Sequence, residues 1–313
     1  MLLKRKSPFS IVLLVALFYY LLLQAQKYSY GTTLSSVGGD VYADDAELSL
    51  QQRSPFNESK LALLLENRAL SHLTPLMLHF MAVVPEEWPF MFLGSNVSIA
   101  HLRKSAAIRG FEATGKIRMS QMSDNITIAS QEDLSRLLTS AEFYEQLLPA
   151  EWLFFFQTDS MICANAPTSI NDWVETGASW VGAPFNNMRY GGNGGLSLRR
   201  ISHILRVLKA QRRLDGELHE DRWLADRLWH LPGGKMPSDI EQKPFSVEII
   251  PYDTPIGYHT GWGGRLLMRQ IWEHQEQRDQ IFEYCPEIKM FMELITEPEM
   301  GKCEKNIVET FPT

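Results

Sequence analysis

From about residue 61 onward, short apolar runs alternate with amphipathic stretches. Residues 61–65 read as a buried strand, and residues 90–93 as a second. Between them Leu73, Leu76, Met77 and Phe80 keep the i, i+3, i+4, i+7 spacing of a helix face. Residues 99–108 and 131–148 also read as helices. In the latter Leu134, Leu137 and Leu138 share one face, as do Phe143, Tyr144 and Leu147. Residues 152–156 form a continuous apolar strand and residues 180–183 another. Ile201, Ile204, Leu205 and Leu208 mark one further helix, and Trp223, Leu224 and Leu228 a second. Phe245, Val247 and Ile249 alternate as in a half-buried strand. Strands alternating with helices predict an α/β fold whose mostly parallel sheet is covered on both faces. Ligands of such sheets sit beyond the carboxyl ends of the strands, which is where polar residues collect in this chain.

The N-terminus follows a different pattern. Residues 9–23 are almost uninterrupted apolar side chains, broken by Ser10 and preceded by Lys4, Arg5 and Lys6. Positive charge ahead of an apolar run holds that end in the cytosol and sends the remainder across the membrane. A cleaved signal peptide, with secretion of the product, is the alternative, since the run is shorter than the roughly 20 residues of a typical span. Either reading puts the remainder in the secretory lumen or outside the cell. Residues 24–55 are rich in Ser, Gly, Gln and Asp without lasting periodicity, as in a flexible stem. The expected layout is a cytosolic tail at 1–8, a signal-anchor helix at 9–23, the stem at 24–55, one luminal domain at 56–300 and a tail at 301–313. The sequons at Asn57, Asn96 and Asn125 suit a luminal N-glycoprotein of the ER or Golgi membrane.

A hydrophobic fraction of 45% excludes a wholly disordered chain, and a net charge of −7 argues against nucleic acid as a partner. The three cysteines, Cys163, Cys285 and Cys303, are too few for a disulfide scaffold. A disulfide between Cys285 and Cys303 would close a short C-terminal loop, against two free thiols as the alternative.

Four stretches could carry chemistry. Gln157, Thr158 and Asp159 follow the apolar strand 152–156, where a carboxylate can hold a divalent cation that neutralises a diphosphate, or can simply cap a turn. Gly191, Gly192, Asn193, Gly194 and Gly195 let the backbone approach a ligand closely or adopt positive φ, or form a plain tight loop. Glu220 and Asp221 open a helix, either as complements of its dipole or as a general base. His259 follows the strand around 245–250 as a metal or phosphate contact, or as a structural histidine. Neither a G-x-S-x-G elbow nor a Rossmann glycine fingerprint is present.

In order, Phe156-Gln157-Thr158-Asp159-Ser160-Met161-Ile162-Cys163, Trp180-Val181-Gly182-Ala183-Pro184, Gly192-Asn193-Gly194-Gly195-Leu196-Ser197-Leu198-Arg199, Phe245-Ser246-Val247-Glu248 and Gly257-Tyr258-His259 resemble a fungal family known only as a domain of unknown function. That family looks like the GT-A-type glycosyltransferases, with a motif order similar to beta-1,3-galactosyltransferases and Fringe enzymes. The resemblance implies transfer of a sugar from a nucleotide-sugar donor, UDP-linked by preference, to a glycan or glycoprotein hydroxyl, with inversion and with Mn²⁺ or Mg²⁺. It implies that Asp159 and His259 contact metal and diphosphate, that Gly192 to Gly195 shape the donor and acceptor pocket, and that Asp221 is the base with Glu220 beside it. Glu66 and Arg68, after the first strand, fall with Gln157, Thr158 and Asp159 where such folds bind the nucleotide, although a surface ion pair is an equal reading of the first two. Gln157 departs from the pattern: it stands where a D-x-D motif has its first carboxylate, which weakens the metal site. A luminal carbohydrate-binding protein that kept the fold without catalysis is the alternative that Gln157 favours.

Overall fold

The computed structural model describes residues 54–123, 128–186, 188–261 and 269–290. Nine strands run through this region: β1 Lys60–Glu66, β2 Phe90–Gly94, β3 Ile117–Gln121, β4 Trp152–Phe156, β5 Ser160–Ile162, β6 Trp180–Pro184, β7 Gly192–Arg200, β8 Ser246–Val247 and β9 Gly257–His259. Six form one sheet in the order β3-β2-β1-β4-β7-β6, and three form a small sheet in the order β5-β9-β8. β1 is parallel to β2 and β4, and β2 is parallel to β3. β7 alone runs against its neighbours β4 and β6. The predicted α/β class with a mostly parallel, helix-flanked sheet is the architecture observed.

The central strands are buried on both faces, which explains their unbroken apolar sequences. Successive side chains point to opposite faces, so Leu64, Phe154 and Phe156 enter one core with Phe80 and Phe92. Leu63, Leu153 and Phe155 enter the other with Trp180, Ile204 and Leu224. Phe80, on the helix Leu73–Val83, stacks on Phe156 with ring centroids 3.9 Å apart.

Several elements differ from the sequence reading. The helix expected over 99–108 is two, Asn96–Leu102 and Ala106–Ala113, because Ser105 starts a new one by accepting the Ile108 N–H. The helix expected over 131–148 is likewise Gln131–Leu138 and Ala141–Glu145, with Ser140 as the second cap. A serine hydroxyl that satisfies the first-turn N–H groups competes with continuation of the preceding helix. Only Ser246–Val247 of the expected strand around 245–249 pairs, and His259 lies within β9 rather than after β8.

The glycine run is a turn only at Gly191, whose φ is +78°, and strand thereafter. Gly192, Asn193, Gly194 and Gly195 open β7, where Pro184 pairs with Gly192 and Ala183 with Asn193. A Cβ on Gly182 would stand 2.2 Å from the Asn193 carbonyl oxygen, so backbone crosses backbone at this bulge and side chains are excluded.

The cysteine pairing is also corrected. Cys285 is bonded to Cys163, with Cα atoms 5.0 Å apart, and not to Cys303, which lies outside the described residues. The helix Gln275–Tyr284 brings its C-terminal end back to β5, and Asn165 Nδ2 donates to the Tyr284 carbonyl (2.7 Å) at the same junction. Packing across 122 residues of chain thus takes the cysteine that sequence proximity assigned to a local loop.

The expected anchor at 9–23, most of the stem and Asn125 also lie outside the described residues. Among the described residues no helix is long and apolar enough to cross a membrane. Asn57 and Asn96 are both exposed.

Candidate active site at the carboxyl ends of β1 and β4

The chain leaves β1 for β2 and β3 on one side, then returns to β4 on the other, so the carboxyl ends of β1 and β4 flank the point where strand order reverses. Open α/β sheets place their ligand crevice at such a point. Glu66 ends β1 and is buried. Its carboxylate accepts the Arg68 backbone N–H (2.7 Å), Arg68 Nε (2.9 Å) and Arg68 Nη2 (2.7 Å), and Thr158 Oγ1 donates to it across the crevice (3.4 Å). The Arg68 side chain is 70% exposed, so a buried anion holds an accessible guanidinium at the crevice rim. The hydrogen-bonded Glu66 carboxylate, with a smaller contribution from Asp159, raises the Arg68 pKa.

Gln157, Thr158 and Asp159 connect β4 to β5. The Gln157 N–H donates to the Gly195 carbonyl (2.8 Å), and His72 lies 3.2 Å from the Thr158 carbonyl. The Asp159 carbonyl accepts both the N–H and the hydroxyl of Thr260 (2.9 and 3.1 Å), which ties the turn to the end of β9. His259 is thereby placed beside Asp159, its Nδ1 3.6 Å from Asp159 Oδ1 and 3.1 Å from Ser160 Oγ. Its other nitrogen, Nε2, faces Glu248 Oε1 at 3.8 Å. Asn193 Nδ2 donates to the same Glu248 oxygen (3.2 Å) while Asn193 Oδ1 accepts the Gly195 N–H (2.7 Å). Burial, reinforced by the charges of Asp221 and Asp159, raises the Glu248 pKa against the opposing pull of His259.

Glu220 and Asp221 open the helix Glu220–Trp229 and are both buried. They differ in direction. Asp221 accepts the Gly194 N–H on Oδ2 (3.2 Å) and the Arg222 N–H on Oδ1 (2.7 Å), which fixes its carboxylate beside the glycine run. Glu220 points away, toward Ser135 Oγ (3.3 Å) and the fully buried Arg199 (3.9 Å). Arg199 lies between the Phe155 and Trp180 rings and donates through Nη2 to the Gly194 carbonyl (3.0 Å). Burial and the neighbouring Asp221 charge push the Glu220 carboxyl up to about 7, opposed by Arg199.

The structure thus brings together Asp159, Asp221, His259 and the glycine run, with Gln157 and Thr158 alongside. Glu66 and Arg68 lie at the end of β1, joined to this cluster through Thr158, and Glu220 turns toward Ser135 and Arg199. Glu248, Ser160 and Arg199 belong to the same constellation; they stand in the motif runs of the sequence, where none of them is assigned a role. A lone carboxylate after a two-residue strand and an arginine within an apolar one carry no local signal of convergence.

The fit to a divalent cation is partial. Among the described residues no group of three or more His, Cys, Asp or Glu is arranged to hold a metal. Asp159 Oδ1 and Glu248 Oε1 face opposite nitrogens of His259, at 3.6 and 3.8 Å. Asp159 alone suits a hard cation whose other ligands are diphosphate oxygens and water, the usual manner of Mg²⁺ binding.

The family described as protein of unknown function (DUF5672) matches residues 116–259, just under half of the chain. That span holds every residue of the constellation except Glu66 and Arg68. No curated protein sequence matches the chain. Among solved structures, the bifunctional glycosyltransferase WbbM in its apo form is similar at 8% identity, over 76% of this chain and 52% of that one, with a TM-score of 0.42. The mannosyltransferase Ktr4p of S. cerevisiae in complex with GDP is similar at 10% identity over 40% of each chain, with a TM-score of 0.30. Core-mannan synthase A of Aspergillus fumigatus in its Mn/GDP form is similar at 13% identity, over 50% and 49% of the two chains, with a TM-score of 0.28. The aligned part is about half, or less, of the length of each of these structures.

Proposed function

We propose that the chain is a glycosyltransferase that uses a nucleotide-sugar donor. The observation that carries this reading is the Glu66–Thr158 contact across the strand-order reversal, with Asp159 next to it and an exposed, pre-oriented Arg68 at the rim. A guanidinium held by a buried carboxylate suits the phosphates or base of a nucleotide. The carboxylates deeper in the crevice suit sugar hydroxyls and proton transfer.

In the proposed reaction Asp221 takes the proton of an acceptor hydroxyl. The hydroxyl oxygen attacks the anomeric carbon from the face opposite the leaving group, and the bond to the diphosphate oxygen breaks with inversion. The two backbone N–H groups on Asp221 fix the orientation that proton transfer needs. Arg68 supplies donors to the diphosphate, and His259 presents Nε2 beside it. A divalent cation on Asp159, completed by diphosphate oxygens and water, would neutralise the leaving group. The Cys163–Cys285 disulfide and the exposed asparagines Asn57 and Asn96 of two sequons support a luminal setting behind an N-terminal anchor, in the ER or Golgi.

The test is nucleotide release from a panel of UDP- and GDP-sugars that rises on adding acceptor glycans. Asp221→Asn is expected to lower turnover by about 10²- to 10⁴-fold. Transfer that survives in both Asp159→Asn and Asp221→Asn would overturn the mechanism. Gln157, neutral at the first D-x-D position, favours a second reading, a non-catalytic glycan-binding protein. Glycan binding without release of any nucleotide would select it.

A further inference from the structure

We propose that Ser160 is a positioning residue that fixes His259 as the tautomer protonated on Nδ1, so that Nε2 is the nitrogen that acts in the crevice. This rests on the reading of the crevice as a nucleotide-sugar site for its functional meaning, but on hydrogen-bond bookkeeping alone for its structure. A serine hydroxyl has one proton to give and lone pairs to receive. Ser160 Oγ is fully buried, 2.7 Å from the Gly195 carbonyl oxygen and 3.1 Å from His259 Nδ1. The carbonyl can only accept, so a 2.7 Å approach of the two oxygens requires the Ser160 proton between them. With that proton committed, Ser160 Oγ can only accept from His259, and Nδ1 must carry a hydrogen.

Three consequences follow for the site. Nδ1, the nitrogen nearer Asp159, has no lone pair for a cation. Nε2 of the neutral ring keeps its lone pair and faces Glu248 and the interior of the crevice. A flipped ring would set a carbon against Ser160 Oγ and lose the Nδ1 contact, while the flat side of the ring rests on Gly195, where a Cβ would stand 2.5 Å from Nδ1 and Nε2. Ser160 therefore acts through His259 and touches no substrate itself.

The test is the ¹⁵N spectrum of the full-length protein labelled at histidine, at pH 8, with His259 assigned by its loss in His259→Gln. The expected result is a protonated Nδ1 and an unprotonated, pyridine-like Nε2. A proton on Nε2, in either a neutral or a doubly protonated ring, overturns the proposal. Ser160→Ala, which removes the acceptor without adding bulk, is expected to lose the Nδ1–H signature, and Ser160→Thr, which keeps the hydroxyl, to restore it. A His259 spectrum unchanged in Ser160→Ala overturns it equally. Addition of UDP or GDP tests the underlying functional reading separately. If neither moves any signal, the nucleotide site fails while the tautomer assignment stands on the unliganded spectrum.

Discussion

Gly195 and His259 are in direct van der Waals register: a Cβ built on Gly195 would lie 2.3 Å from His259 Cε1. The glycine run is thus matched to the imidazole, and the third and fourth residues of β7 serve as a platform for the ring and for Asp221. Gly195→Ala is expected to force the ring off this platform at an overpacking cost of about 1–3 kcal/mol. Urea unfolding measures the cost, and the His259 ring resonances report the displacement. Unchanged stability together with an unmoved ring would contradict the packing described.

The Cys163–Cys285 bond joins the end of β5 to the end of the helix Gln275–Tyr284 and closes a loop spanning 122 residues of separation. Removing both cysteines is expected to destabilise the domain by about 2–5 kcal/mol. Cys303→Ser is expected to leave the melting temperature where it is. If Cys303→Ser alone reproduces the loss, the pairing is wrong.

Much of the fold was legible as pattern. β1, β2, β4 and β6 lie within two residues of their apolar runs because strands covered on both faces have no polar positions to blur them. Capping was less legible, since Ser105 and Ser140 interrupt helical periodicity that continues on both sides of them. The glycine run was misread because glycine usually marks loops, whereas here it lets β7 cross the backbone of Gly182. Asp159, Asp221 and His259 could be chosen because each follows or opens a recognisable element. The roles of Glu248 and Ser160 were not legible, since they come from facing His259 across a small sheet that pairs β5 with β9 and β9 with β8.

Glu220 carries a sharp pH prediction. Its folded pKa is pushed from 4.5 up to about 7 by burial and by Asp221. Between those values the folded state holds a proton that the unfolded state has released, so this group's contribution to stability falls as pH rises. Relative to Glu220→Gln, the wild type is expected to lose on the order of 3 kcal/mol between pH 4.5 and 7. Unfolding free energies of both proteins across pH 4.5–8 give the difference directly. A wild type that instead gains on the variant as pH rises would exclude a Glu220 whose burial outweighs its pairing with Arg199.

Arg68 is accessible only because Glu66 is not. Glu66→Ala removes three hydrogen bonds from Arg68 and the acceptor of Thr158. Nucleotide affinity is expected to fall in Glu66→Ala and in Arg68→Ala by similar factors, of about tenfold for a lost charge-assisted contact. Calorimetric titration of both variants would expose a direct role for Glu66 if its removal cost far more than that of Arg68.

The most direct test of a nucleotide-sugar site is thermal unfolding of the protein with UDP and with GDP, each with and without Mn²⁺. A nucleotide that binds only the folded state, at 100 times its dissociation constant, adds about 2.7 kcal/mol. The expected result is stabilisation by one nucleotide with Mn²⁺ that is lost in Asp159→Asn, and none by Mn²⁺ alone. No stabilisation by either nucleotide at millimolar concentration, with or without the metal, would contradict the proposed function.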